Sequence, residues 1–98
     1  MNIKIHSIHF DADSKLLDFI NQKVKKLQLF YDNIIACEVF LRIENVQDME
    51  NKIAEIRVEI RGNDVFAKKQ SRTFEEATDL AIEALRRQLI KHKTKIIK

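Results

Sequence analysis

Proline is absent from the chain and glycine occurs once, at Gly62. A collagen-like repeat, a proline-rich ligand and a glycine-rich phosphate loop are therefore excluded together, because each needs several of these residues at fixed spacing. Cysteine also occurs once, at Cys37. That rules out an internal disulfide framework and suits a reducing cytoplasm. The longest uninterrupted apolar run is Ile34-Ile35-Ala36-Cys37, far short of the roughly 20 residues a membrane-spanning helix needs. No export signal opens the sequence, since Met1 leads straight into the alternating segment Asn2-Ile3-Lys4-Ile5-His6. Disorder is excluded by plentiful branched aliphatics, 45% hydrophobic residues and a net charge of only +3. With 98 residues, one domain over 1–98 is expected, with no room for a second core of useful size.

The modest net charge conceals an asymmetry. Residues 1–67 carry nine Lys/Arg and eleven Asp/Glu, whereas residues 68–98 carry nine and four. Within the second stretch the acids come first, at Glu75, Glu76, Asp79 and Glu83. Arg86, Arg87, Lys91, Lys93, Lys95 and Lys98 follow with no acid among them. Acids early and bases late complement a helix dipole, but the dipole does not call for six successive bases. A terminal segment of one sign is the footprint of a polyanion partner.

Periodicity gives the order of elements. Asn2 to about Ile8 alternates, with Ile3 and Ile5 opposite Lys4 and His6, and reads as a strand. Asp13 or Ser14 offers an N-cap for a helix starting near Lys15. Leu17, Ile20, Val24 and Leu27, widened by Leu16 and Phe30, form its apolar stripe, and Asp32-Asn33 ends it near Phe30-Tyr31. Ile35, Cys37, Val39, Leu41 and Ile43 then share one face of a second strand, with Glu38, Phe40 and Arg42 on the other. A polar loop is expected over Asn45–Asn51. In the third strand Ala54, Ile56, Val58 and Ile60 point inward, while Glu55, Arg57, Glu59 and Arg61 point outward as partners for cross-strand ion pairs. Gly62-Asn63-Asp64 marks a tight turn, and Val65 to about Lys69 a shorter fourth strand. Thr73-Phe74-Glu75-Glu76 has capping-box spacing ahead of a final helix. Phe74, Thr78, Ala81, Leu85, Leu89, His92 and Ile96 line its inner stripe. The fold class is α+β, in the order β-α-β-β-β-α. A right-handed crossover pairs strands one and two in parallel, giving a four-stranded mixed sheet with both helices on one face.

Catalytic constellations are missing from this pattern. His6 and His9 fall on opposite faces if the strand reaches that far, His92 lies in an apolar stripe, and Cys37 alternates inward among aliphatics. Asp11 and Asp13 precede a helix, where carboxylates act as caps. Neither an enzyme, a metal, a cofactor nor a small-molecule substrate is implied. Cations on the helices are another matter. At about 100° per residue, Arg87, Lys91 and Lys95 step along one ridge of the last helix and Arg86 and Lys93 along a second. Such spacing suits successive phosphates, and Lys23 and Lys26 of the first helix would extend the surface if the helices pack side by side. Phe40 and Phe66, on the open sheet face, offer an alternative surface for a protein partner.

The segment Leu85-Arg86-Arg87-Gln88-Leu89-Ile90-Lys91-His92-Lys93-Thr94-Lys95, with Lys23, Lys26, Leu27 and Tyr31-Asp32 earlier, resembles the ribosome hibernation-promoting factor and ribosome-associated inhibitor A family. The shared pattern in the last helix is Leu85, Arg87, Gln88, Leu89, Lys91, Lys93 and Lys95; where the family often has a lysine this chain has Ala84, with Arg86 close by. That resemblance implies a fold related to double-stranded RNA-binding domains. It also implies binding to the small ribosomal subunit, on 16S rRNA in the channel that messenger RNA and tRNA use at the decoding region. The bound protein would block initiation and preserve idle ribosomes in stationary phase or stress. Lys23, Lys26, Arg86, Arg87, Lys91, Lys93 and Lys95 would then grip rRNA phosphates. A cytoplasmic, monomeric protein without membrane contact is expected, and a free double-stranded RNA binder is the nearest variant of this reading.

Overall fold

A computed structural model of the chain describes residues 1–44 and 49–97, with side chains as far as Lys93. Its elements are β1 (Asn2–Ser7), α1 (Ser14–Lys25), a 3-10 turn over Lys26–Leu29, β2 (Ile34–Ile43), β3 (Lys52–Ile60), β4 (Asn63–Ser71) and α2 (Phe74–Ile97). The expected order is therefore present. Most of the loop expected over Asn45–Asn51 lies outside the described residues, as do the side chains of Lys95 and Ile96 and the whole of Lys98. No helix among the described residues is long and apolar enough to cross a membrane.

The strands form one sheet in the order β1-β2-β3-β4. β1 runs parallel to β2, with Ile3 beside Cys37 and Ile5 beside Val39. The β2–β3 and β3–β4 pairs are antiparallel. One sheet face, built from Cys37, Val39, Leu41, Ile56, Val58, Ile60, Val65 and Ala67, packs in a single cluster with Leu16, Ile20, Val24 and Leu27 and with Phe74, Ala77, Ala81, Leu85 and Leu89. Burial of these branched side chains is the main stabilising force, worth about 1.5–3 kcal/mol for each fully buried one. Opposite that core lies a face of ionic and aromatic side chains, because the period of two sends alternate residues there.

Helix starts follow the cap chemistry. Asp13, with extended backbone, accepts a hydrogen bond from the Leu16 N–H at 2.8 Å. Thr73 Oγ1 accepts one from the Glu76 N–H at 3.0 Å. Each satisfies an amide that would otherwise lack an intrahelical partner. The α1 stripe is carried by Leu16, Ile20, Val24 and Leu27, with Leu17 only half-buried.

Several strand details differ from the sequence reading. Ile35 is 53% exposed, because the register slips between Ile34 and Ala36 and the slip hands the inward position to Ile34. Ile43 is exposed as well, at the last position of β2. The β3–β4 turn is Arg61-Gly62 alone, since Ile60 already pairs with Asn63, and β4 extends to Ser71. Gly62 takes φ 81°, a conformation that a side chain disfavours. β1 stops at Ser7 because the chain turns away at His9, whose φ is 64°.

Candidate functional site

Orientation of the two helices decides which cations share a surface. Lys23 flanks the α1 stripe, and its Nζ lies 3.2 Å from Asp79 Oδ1 on α2. Arg86 of α2 lies over the Phe30 ring, 5.0 Å from the centroid, just after the 3-10 turn. These contacts set α1 and α2 side by side. On the other flank of α2, Gln88 Nε2 donates to the Phe66 carbonyl oxygen of β4 at 2.9 Å. Arg87 and Lys91, four apart and both exposed, therefore point outward between the flanks. Lys93, seven residues beyond Arg86, is exposed on the α1 side. Lys26, three residues after Lys23 and the first residue of the 3-10 turn, is exposed.

The cations brought together here are of two kinds. Lys23 and Arg86 are each held by a carboxylate and a ring. Lys23 lies beside Asp79 and 5.4 Å from the centroid of Phe19. Arg86 lies 3.0 Å from Glu83, three residues earlier on its own helix, and over Phe30. By contrast Lys26, Arg87, Lys91 and Lys93 form no ion pair among the described residues. Beyond Leu89 no described side chain of α2 is buried, and His92, half-buried, leans on the Tyr31 ring at 5.9 Å. The far end of α2 thus presents unpaired cations on a rigid rod anchored by Leu85 and Leu89. Lys95 stands in the same helix, with its side chain outside the described residues.

Sequence spacing reveals the Glu83–Arg86 pair, because i and i+3 are neighbours on a helix. None of the three contacts is named in the sequence reading above, and Lys23–Asp79 and Gln88–Phe66 depend on tertiary placement.

The other surfaces are chemically quiet. On the open sheet face Glu38 bonds Arg57 Nη2 at 2.7 Å and His6 Nε2 at 2.9 Å. Arg42 pairs with Glu55. Of the four residues expected to make cross-strand ion pairs, Glu55 and Arg57 do so, and Glu59 and Arg61 form none among the described residues. His6 stacks on Phe40 at 4.8 Å, so that ring is partly covered, while Phe66 is 50% exposed. The His6 hydrogen bond, and after it the Arg57 charge, hold the Glu38 carboxyl below its ordinary range. Cys37 is buried, with its Sγ 3.4 Å from Met1 Sδ, and burial raises its pKa to about 11. At neutral pH it is a thiol, not a nucleophilic thiolate. No group of three or more metal-ligating side chains converges among the described residues.

A family model described as sigma 54 modulation protein / S30EA ribosomal protein matches residues 3–97. The chain belongs to that family. Among relatives, a protein named ribosome hibernation promoting factor from Azotobacter vinelandii is 31% identical over 97 residues, spanning 99% of this chain and 87% of the relative. One of the same name from Klebsiella oxytoca is 30% identical over 96 residues, spanning 98% of this chain and 95% of the relative. The fold is shared with a ribosomal subunit interface protein from Coxiella burnetii, at 23% identity and a TM-score of 0.85, covering 96% of this chain and 99% of that one.

Proposed function

We propose that the protein is a non-enzymatic, cytoplasmic ribosome hibernation factor that occupies the small subunit's mRNA/tRNA channel near the decoding region. It would inhibit translation by standing in the path and would keep idle ribosomes intact under stress. The observation that carries the reading is the row of unpaired cations at the far end of α2, Arg87, Lys91 and Lys93, exposed on a helix fixed to the sheet by a buried stripe. Lys26 extends it, Lys23 and Arg86, each held by a carboxylate and a ring, border it, and Lys95 stands further along the same helix. Phosphate contacts of this sort position a protein without reading bases, so recognition is by the shape of folded rRNA. The relatives' shared name supports the hibernation role.

The test is charge reversal at Arg87→Glu, Lys91→Glu and Lys93→Glu together. The variant should keep the native circular dichroism spectrum and lose co-sedimentation with purified small subunits. Undiminished co-sedimentation would refute the site. The half-exposed Phe66 ring favours a second reading, a protein-docking role for the open sheet face, for which a Phe40→Ser/Phe66→Ser variant is the probe.

A further inference from the structure

We infer that Asp79 and Glu83 are specificity-determining residues that bar uninterrupted RNA duplex from the helix face while admitting a folded RNA surface that meets only its carboxyl-terminal half. This inference rests on the phosphate-binding reading above and concerns which RNA that surface accepts.

The two carboxylates are four residues apart on α2 and so share one face. Asp79 lies beside Lys23 at 3.2 Å, and Glu83 beside Arg86 at 3.0 Å. Both are about half exposed, 51% and 52% by side chain. Exposed ion pairs add little to stability, because water screens the charges and two long side chains lose freedom. Nor do Lys23 and Arg86 need the carboxylates to lie along the protein surface, since each is also within cation–π range of a ring, Phe19 or Phe30. What the acids do change is the field. Around residues 79–86 each cation is matched by an anion, and Glu75 and Glu76 stand in the first turn of α2. From Arg87 to Lys93 the helix carries cations alone. The sign therefore changes along a rod that is about 36 Å long at 1.5 Å per residue.

A straight A-form duplex laid along the helix pair would press phosphates against the matched half as well as the cationic half. There the half-exposed carboxylates would repel it, and the two cations are already engaged. A folded RNA whose backbone reaches only the far turns meets attraction alone. Discrimination by repulsion of the wrong partner is a general route to specificity, and here it acts through charges rather than base contacts.

The experiment compares the native chain with an Asp79→Asn/Glu83→Gln variant, which keeps side-chain size and leaves the Thr73 cap untouched. The probes are a blunt RNA duplex of about two helical turns and purified small subunits at one salt concentration. The ratio of subunit affinity to duplex affinity should fall about tenfold, through tighter duplex binding. The duplex salt slope should steepen by about one to two as Lys23 and Arg86 become available to phosphates. A ratio that falls by less than about threefold would overturn the inference. Full subunit binding by the Arg87→Glu/Lys91→Glu/Lys93→Glu variant, run alongside, would refute the site reading and the inference with it, a failure distinct from an unchanged ratio in the Asp79→Asn/Glu83→Gln variant.

Discussion

The helix face and the open sheet face use much the same charged residues to opposite effect. On the sheet, Arg57 lies across from Glu38 in register and Arg42 reaches Glu55 diagonally, two positions along the neighbouring strand, so each of these guanidiniums meets a carboxylate. On the far half of α2, Arg87, Lys91 and Lys93 follow one another with no acid between them. Counting cations does not separate the two faces. What separates them is whether the backbone geometry brings a carboxylate within reach of the base: strand pairing does so for Arg42 and Arg57, and an acid-free helix end does not. A phosphate approaching Arg42 or Arg57 must displace an existing partner, whereas one approaching the helix end displaces only water and counterions.

The contrast is broken or sharpened most strongly by neutralising one face at a time. Arg87→Gln/Lys91→Gln should weaken small-subunit binding on the order of tenfold or more, since charge-assisted contacts are worth about 1.5–3 kcal/mol each. Phe40→Ser/Phe66→Ser on the sheet should leave it within about twofold of native. Equal losses would dissolve the distinction, and a lost protein partner in the second variant alone would favour the sheet-docking reading. Both are read by quantitative co-sedimentation.

A smaller effect concerns the sheet face by itself. Glu38 has its folded-state pKa lowered by the His6 hydrogen bond and the Arg57 charge. Its contribution to stability is therefore complete above the unfolded-state carboxyl pKa and is lost as pH falls through the lower folded-state value. Carboxyl NMR should show Glu38 titrating below the ordinary glutamate range, and an Arg57→Gln/His6→Gln variant should return it there. Subunit binding measured near neutral pH should be indifferent to that change.

Much of this arrangement was legible in the sequence, for reasons that also mark where legibility ends. Leu85 and Leu89 announce the inner stripe of α2 by helical spacing, and Val39-Leu41 and Ile56-Val58 announce sheet faces by alternation. Both signals are local and periodic. Ile35 misleads because one slipped register position exchanges its place with Ile34, and a bulge leaves no mark in the hydrophobic pattern. On the candidate surface, the outward ridge of Arg87 and Lys91 follows from spacing alone. The engagement of Lys23 by Asp79 does not, since the two residues meet only after both helices settle on the sheet. Gln88 is the same case: its bond to the Phe66 carbonyl ties one flank of α2 to β4, and nothing within the helix signals it.

The central claim is that unpaired cations on the helix face bind rRNA phosphates, and the salt dependence of small-subunit binding tests it most directly. With about six phosphate contacts, the logarithm of the association constant should fall against the logarithm of monovalent salt with a slope of roughly −4 to −5. A slope near zero, with binding retained at high salt, would contradict it.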